Sequence, residues 1–131
     1  MENTEKKVVM ISGANRGIGK VVAEKLSEDG YLLSLGIRNP GNLPGSLSSI
    51  PENQLLCHAY DAKIPQNAKS WIDGTIEYFG RIDVLINNAG ILHSIGLEDD
   101  SEELLDEMWE VNANAPLRLT RLAFPYLRKS G

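Results

Sequence analysis

The chain has 131 residues, 42% of them apolar and 24% charged, with a formal net charge of −5. That suffices for one hydrophobic core of ordinary size, and the acidic balance argues against a nucleic-acid or anionic-membrane surface. A single cysteine, Cys57, excludes an intrachain disulfide; no apolar run approaches the roughly 20 residues of a membrane span, and the polar start (Met1 to Lys7) is unlike a signal peptide, so the expected location is the cytoplasm.

In chain order, the apolar run Val8-Val9-Met10-Ile11 predicts a strand buried on both faces. It leads into Ser12-Gly13-Ala14-Asn15-Arg16-Gly17-Ile18-Gly19, a glycine loop between strand and helix. Gly13 permits a sharp turn, Gly17 removes a side chain where a phosphate would approach, and Gly19 allows close helix–strand packing. Free N–H groups and the positive dipole at the helix start would face the phosphates. Taken alone, the pattern fits a tight turn with no ligand equally well. Ile18, Val21, Val22, Lys25 and Leu26 recur at helical spacing as far as Gly30, a helix stop. Tyr31 to Ile37 predicts a second buried strand, completing a βαβ unit with a right-handed crossover.

Residues 38–53, with Pro40, Gly41, Pro44, Gly45 and Pro51, predict turns and at most a short helix. Gln54 to Tyr60 predicts a third strand ending at Asp61, with Cys57 and His58 as strand residues rather than metal ligands. Pro65 opens a helix whose positions Ala68, Trp71, Ile72, Thr75, Ile76 and Phe79 run to Gly80. Ile82 to Ile86 predicts the fourth strand, followed by Asn87-Asn88-Ala89-Gly90 and a loop to Asp100. Ser101 is placed as an N-cap, although Leu104 stands where a capping box needs an acid or amide. Leu104, Met108, Val111, Ala115, Leu119, Leu122 and Tyr126 trace one face of a long helix, with a kink expected near Asn112 because of Pro116. Asn112, polar on that apolar face, is expected to be buried, its carbonyl deprived of a helical N–H by Pro116. The acidic residues from Glu98 to Glu110, Glu107 among them, read as solvated surface around a helix start, and no metal site is expected. The order is βαβ(loop)βαβα, an α/β fold with a doubly wound, open parallel sheet and helices on both faces.

These residues carry a resemblance. Ser12 to Gly19 resembles the Thr-Gly-x-x-x-Gly-x-Gly fingerprint of the short-chain dehydrogenase/reductase family, with Ser12 in place of threonine. Asn87-Asn88-Ala89-Gly90 is similar to that family's motif after the fourth strand. Asp61 resembles its acidic residue after the third, and Asn112 in Val111-Asn112-Ala113 its catalytic asparagine. The resemblance implies a Rossmann-type sheet, incomplete at about four strands, with residues 1–131 as the N-terminal, NADP-binding portion of a longer single domain. It implies that Gly13, Asn15, Arg16, Gly17, Ile18 and Gly19 hold a pyrophosphate. It places Asp61 at the adenine ring and Asn88, Ala89 and Gly90 along the ribose. It makes Asn112 catalytic, through a water linking a lysine to solvent.

Cofactor choice has a physical argument as well. An enzyme binding NAD usually presents an acid after the second strand. Here Ile37 is followed by Arg38, and Arg16 stands before Gly17. A carboxylate would repel an adenosine 2′-phosphate and a guanidinium would bind it, so the expected cofactor is NADP(H). Two ordinary surface arginines are the alternative. The family's chemistry also needs a serine and a Tyr-x-x-x-Lys pair beyond a fifth strand, whereas Tyr126 and Lys129 are three apart. The expectation is an NADP(H)-dependent oxidoreductase acting on a small carbonyl or alcohol substrate, homo-oligomeric at full length and inactive as residues 1–131. The alternative is a non-catalytic dinucleotide-binding fragment with a regulatory or partner-binding role.

Overall fold

The computed structural model describes residues 6–131; the first five residues of the polar start lie outside them. The strands are β1 (Val8–Ser12), β2 (Leu32–Ile37), β3 (Leu55–Ala59) and β4 (Val84–Ile86). All pair in parallel, in the order β3-β2-β1-β4. The helices are α1 (Gly17–Glu28), the single turn α2 (Gly45–Ser48), α3 (Pro65–Phe79), α4 (Glu102–Trp109) and α5 (Ala115–Ser130).

Strand alternation sorts the apolar runs into two cores. Val9, Ile11, Leu33 and Leu35 pack with Ala23 of α1 and Leu47 of α2 on one face. Met10 packs with Trp71 and Ile72 of α3 and Leu119 and Ala123 of α5 on the other. Every β1 and β2 residue is buried, which is why both are apolar at nearly every position. The fold is therefore the doubly wound, Rossmann-like sheet that the element order predicts.

On the α3 side, β2 presents Ser34 and Gly36, and Trp71 fills the space they leave. A Cβ at position 36 would stand 2.7 Å from the indole ring. Trp71 Nε1 donates to Ser34 Oγ at 2.9 Å, and Ser34 Oγ lies 2.7 Å from Thr75 Oγ1. The buried polar groups of this wall thus satisfy one another. At the other end of the sheet, Asp83 joins β4 to β1. Its carboxylate accepts the Val8 N–H at 2.7 Å and two Arg81 N–H groups at 2.8 and 2.6 Å.

Three local expectations are corrected, while residues 38–53 hold the turns and short helix expected of them. The buried face of α1 is Gly19 and Ala23, flanked by Val22 and Leu26, whereas Ile18 and Val21 are 77% and 63% exposed. Apolar spacing alone could not tell which edge of that stripe meets the sheet. Residues 38–53 hold α2 together with two 3-10 turns, Pro40–Asn42 and Glu52–Gln54. Ser101 occupies the N-cap position of α4 without a side-chain hydrogen bond to it. The long C-terminal helix is two, α4 and α5, joined by a π turn over Glu110–Asn114. Ala115 N–H there donates to the Glu110 carbonyl, five residues back. The wide turn seats Pro116, which can donate to no carbonyl behind it, so a π bulge takes the place of a kink. On the α5 half of the predicted face Ala115 and Leu119 are buried and Leu122 and Tyr126 half-buried, but α4 has no buried residue, and Leu105 and Trp109 are exposed.

Candidate functional site

The carboxyl ends of all four strands point to one edge of the sheet, where a cleft of about 570 Å³ opens. The chain runs outward from β1 through β2 and β3 and then crosses to β4 on the other side of β1, so the strand order reverses here, the place where α/β sheets hold ligands.

The wall of the cleft is built by joining two motifs 75 residues apart. Ser12, at the end of β1, is 2% exposed, and its Oγ accepts the backbone N–H groups of Asn88 and Ala89, each at 3.0 Å. Asn88 Nδ2 returns a bond to the Gly13 carbonyl at 3.0 Å. A Cβ at position 19 would lie 2.6 Å from that same carbonyl oxygen and closer still to Asn88 Nδ2, so only glycine lets α1 start this near the Asn88 turn. Gly17 adopts φ +60° with nothing within 4 Å of where a Cβ would be. The loop is thus left-handed at its entry to α1 and open on the cleft side. The first turn of α1 has no side-chain cap and no acidic residue. Its N–H groups therefore face the cleft with the positive end of a 12-residue helix behind them, an arrangement that attracts an anion.

Of the predicted residues, Gly13, Asn15, Arg16, Gly17, Arg38, Asp61, Asn88, Ala89 and Gly90 line the cleft together. Ile18 and Gly19 do not. Ile18 is exposed beside the loop, and Gly19 is buried beneath it. Arg16 and Arg38 are exposed, and neither guanidinium has a hydrogen bond or ion pair among the described residues. Asp61 closes a turn: its Oδ1 accepts the Lys63 N–H at 2.9 Å, and its own N–H donates to Asn67 Oδ1 at 2.9 Å.

Asn112 departs from expectation. It is exposed rather than buried, and it does not line the cleft. The π turn presents its side chain to the backbone of Ile91. Nδ2 donates to the Ile91 carbonyl at 2.7 Å, and Oδ1 accepts the Ile91 N–H at 2.9 Å. These paired bonds hold the loop that follows Gly90. Pro116, having no N–H, donates to neither the Asn112 nor the Val111 carbonyl.

Sequence reasoning missed several lining residues. Asn42 arrives on the 3-10 turn after β2, and Tyr60 and Lys63 flank Asp61. Burial pushes the Tyr60 phenol up, and its ring packs 4.9 Å from Trp71. Glu107 and Val111 come from α4 and the π turn, four positions apart on one helical face; that spacing was the available signal. Glu107 is not merely solvated surface. Its Oε1 meets His93 Nε2 at 3.0 Å, and the bond to His93 holds its carboxyl below the usual range, with the Lys63 charge adding to the effect.

Residues 7–131 match the family model for short chain dehydrogenase. The chain is 41% identical over 126 residues to agropine synthesis reductase of Rhizobium rhizogenes, covering 95% of this chain and 29% of that protein. Among solved structures, an alcohol dehydrogenase from Thermococcus sibiricus complexed with 5-hydroxy-NADP superposes with a TM-score of 0.89 at 33% identity, covering 96% of this chain and 55% of that one. The 3-ketoacyl-(acyl-carrier-protein) reductase from Brucella melitensis, complexed with NADH, superposes with a TM-score of 0.87 at 26% identity, covering 97% and 52%. The chain therefore spans 29% to 55% of the length of these three proteins. With the family model matched across residues 7–131 and solved dehydrogenases superposing on almost the whole chain, the chain belongs to the short-chain dehydrogenase family.

Proposed function

We propose that this chain is the NADP(H)-holding portion of an oxidoreductase whose full-length form moves hydride between the nicotinamide and a small carbonyl or alcohol carbon. The observation that carries the reading is the cleft itself: an uncapped helix start and open glycine loop at one end, and two arginines with no ion-pair partner beside them. Gly13, Asn15, Arg16 and Gly17 would form the pyrophosphate cradle, with Gly19 beneath it letting α1 start close by. Asn88, Ala89 and Gly90 would bound the ribose, and Asp61 the adenine. Arg38, with Arg16 across the loop, would meet the 2′-phosphate through charge-assisted hydrogen bonds. The bound cofactor supplies the hydride chemistry, and the protein supplies orientation and electrostatics.

Among the described lining residues the phenol is that of Tyr60, which burial and its contact with Trp71 suit to packing rather than proton transfer. On this reading residues 1–131 alone hold the nucleotide without turnover. Asn112 would act in catalysis at full length by holding Ile91 beside the nicotinamide end. The same reading makes the protein cytoplasmic and homo-oligomeric, with neither nucleic acid nor membrane as partner. Among the described residues no helix is long and apolar enough to cross a membrane.

The test is Arg38→Asp in the full-length protein, with NADPH and NADH titrated by fluorescence. NADPH affinity is expected to fall relative to NADH by about 2–4 kcal/mol, from a lost charge-assisted pair and a new repulsion. Equal losses for both cofactors would remove Arg38 from the phosphate site.

A further inference from the structure

Beyond the glycine loop, the Asp61 end of the cleft has groups besides Asp61 that the reading above leaves unused. Asp61 and Lys63 form one wall there and Glu107 the other. Each carboxylate has one oxygen engaged locally. Asp61 Oδ1 accepts the Lys63 N–H at 2.9 Å, and Glu107 Oε1 meets His93 Nε2 at 3.0 Å. Neither Asp61 Oδ2 nor Glu107 Oε2 has a hydrogen bond among the described residues. The Asp61, Lys63 and His93 charges are all felt at Glu107, which places the four groups together at this end. His93 is held a second time through its backbone, whose N–H donates to Met108 Sδ at 3.3 Å, so the residue that meets Glu107 is tied to α4.

Two ionised carboxylates offer acceptors only, so they match a group with two donor hydrogens and reject a carbonyl oxygen. We propose that Glu107, oriented by His93, is a second acceptor for the exocyclic amine of the cofactor's adenine, opposite Asp61, and thereby selects a 6-amino purine over a 6-oxo purine. The inference rests on the dinucleotide reading above. With the phosphates at the glycine loop and Arg38, the purine's outer edge reaches the Asp61–Lys63–Glu107 end. One amine hydrogen then meets Asp61 Oδ2 and the other Glu107 Oε2. In hypoxanthine the same position carries an oxygen, which would face both carboxylates.

The experiment compares NADPH with nicotinamide hypoxanthine dinucleotide phosphate, reduced form, by fluorescence titration of the full-length chain. The wild type is expected to prefer NADPH by about 100-fold, the scale of hydrogen bonds to charged groups. Glu107→Gln lowers that ratio about tenfold, because its amide offers an N–H to the purine oxygen. His93→Ala lowers the ratio partway and His93→Gln restores it, since the glutamine amide can still donate to Glu107; a purely structural role for His93 would leave the ratio unmoved. A Glu107→Gln protein that binds NADPH with an unchanged adenine-to-hypoxanthine ratio, or that loses both ligands equally, overturns the proposal and leaves the dinucleotide reading standing. A wild type that binds neither ligand overturns both.

Discussion

Ser12→Ala isolates the joint on which the cleft depends. The hydroxyl is 2% exposed and accepts two backbone N–H groups, Asn88 and Ala89, at 3.0 Å each. Alanine leaves both donors without that acceptor while changing little volume. A stranded buried donor costs roughly 1–3 kcal/mol. Asn88 and Ala89 are only half-buried, so water partly compensates, and the low end applies to each. The expected loss is about 2–3 kcal/mol, or about 10 °C in melting temperature for a domain of this size. Ser12→Thr keeps the oxygen, and the family fingerprint carries threonine there, so its melting temperature should stay near that of the wild type. The assay is thermal and urea unfolding of the three proteins, with NADPH titration alongside. Nucleotide affinity should fall with Ser12→Ala because Gly13 and the Asn88 turn lose their common anchor. An alanine variant melting within about 2 °C of wild type, or a threonine variant as damaged as the alanine one, would refute the joint.

Asp83→Asn should cost about 3 kcal/mol near neutral pH, because it breaks a bidentate pair and leaves Arg81 facing a neutral amide across a nearly buried site. Burial raises the Asp83 pKa, but the Arg81 bonds and the Val8 N–H outweigh it and hold it below the usual range. Its contribution is therefore complete above about pH 4 and is lost as pH falls through the folded value, so urea midpoints of wild type and variant should converge in acid. Gly36→Ala drives a Cβ to 2.7 Å from the Trp71 ring and should destabilise by about 2–3 kcal/mol, read as a lowered melting temperature with a shift in Trp fluorescence. Asn112→Ala should speed amide exchange at Ile91 about tenfold, the equivalent of one lost hydrogen bond; Asn112→Asp, which keeps the acceptor, should protect that amide.

The fold was legible because its two central strands, β1 and β2, lie inside the sheet. Val8 to Ile11 and Leu32 to Ile37 are apolar at every position but Ser34 and Gly36, and those two exceptions are where Trp71 docks. Pro65 and Gly80 bound α3 as their backbone chemistry dictates, with Gly80 at φ +81°. Helix faces were less legible. A stripe of Ile18, Val21, Val22 and Leu26 is wide, and the tight start of α1 at Gly19 turns its Val22 edge inward, leaving Ile18 and Val21 outside. The same ambiguity hid Glu107. Within a run of acids it looked like solvated surface, and its distinction is that it shares a helical face with Val111.

The candidate site was legible as motifs but not as joints. A parallel sheet brings the carboxyl ends of its strands to one edge, so short segments distant in sequence end side by side. That rule predicts that the glycine loop, Arg38, Asp61 and the Asn88 turn meet, and they do. It does not predict which atoms bond, because side-chain hydrogen bonds between turns depend on ångström-scale placement that no period in the sequence encodes. Asn112 shows the difference. Its polarity on an apolar face correctly marked a position with a specific partner, and Pro116 correctly marked an interrupted helix. Their combined effect, however, is a π turn that swings the amide outward onto Ile91. A proline that must be seated without an N–H and an amide that must find two partners are both satisfied by one extra residue in the turn. The outward amide is thus the local solution to two backbone constraints, and the position of the Ile91 loop at the cleft follows from it.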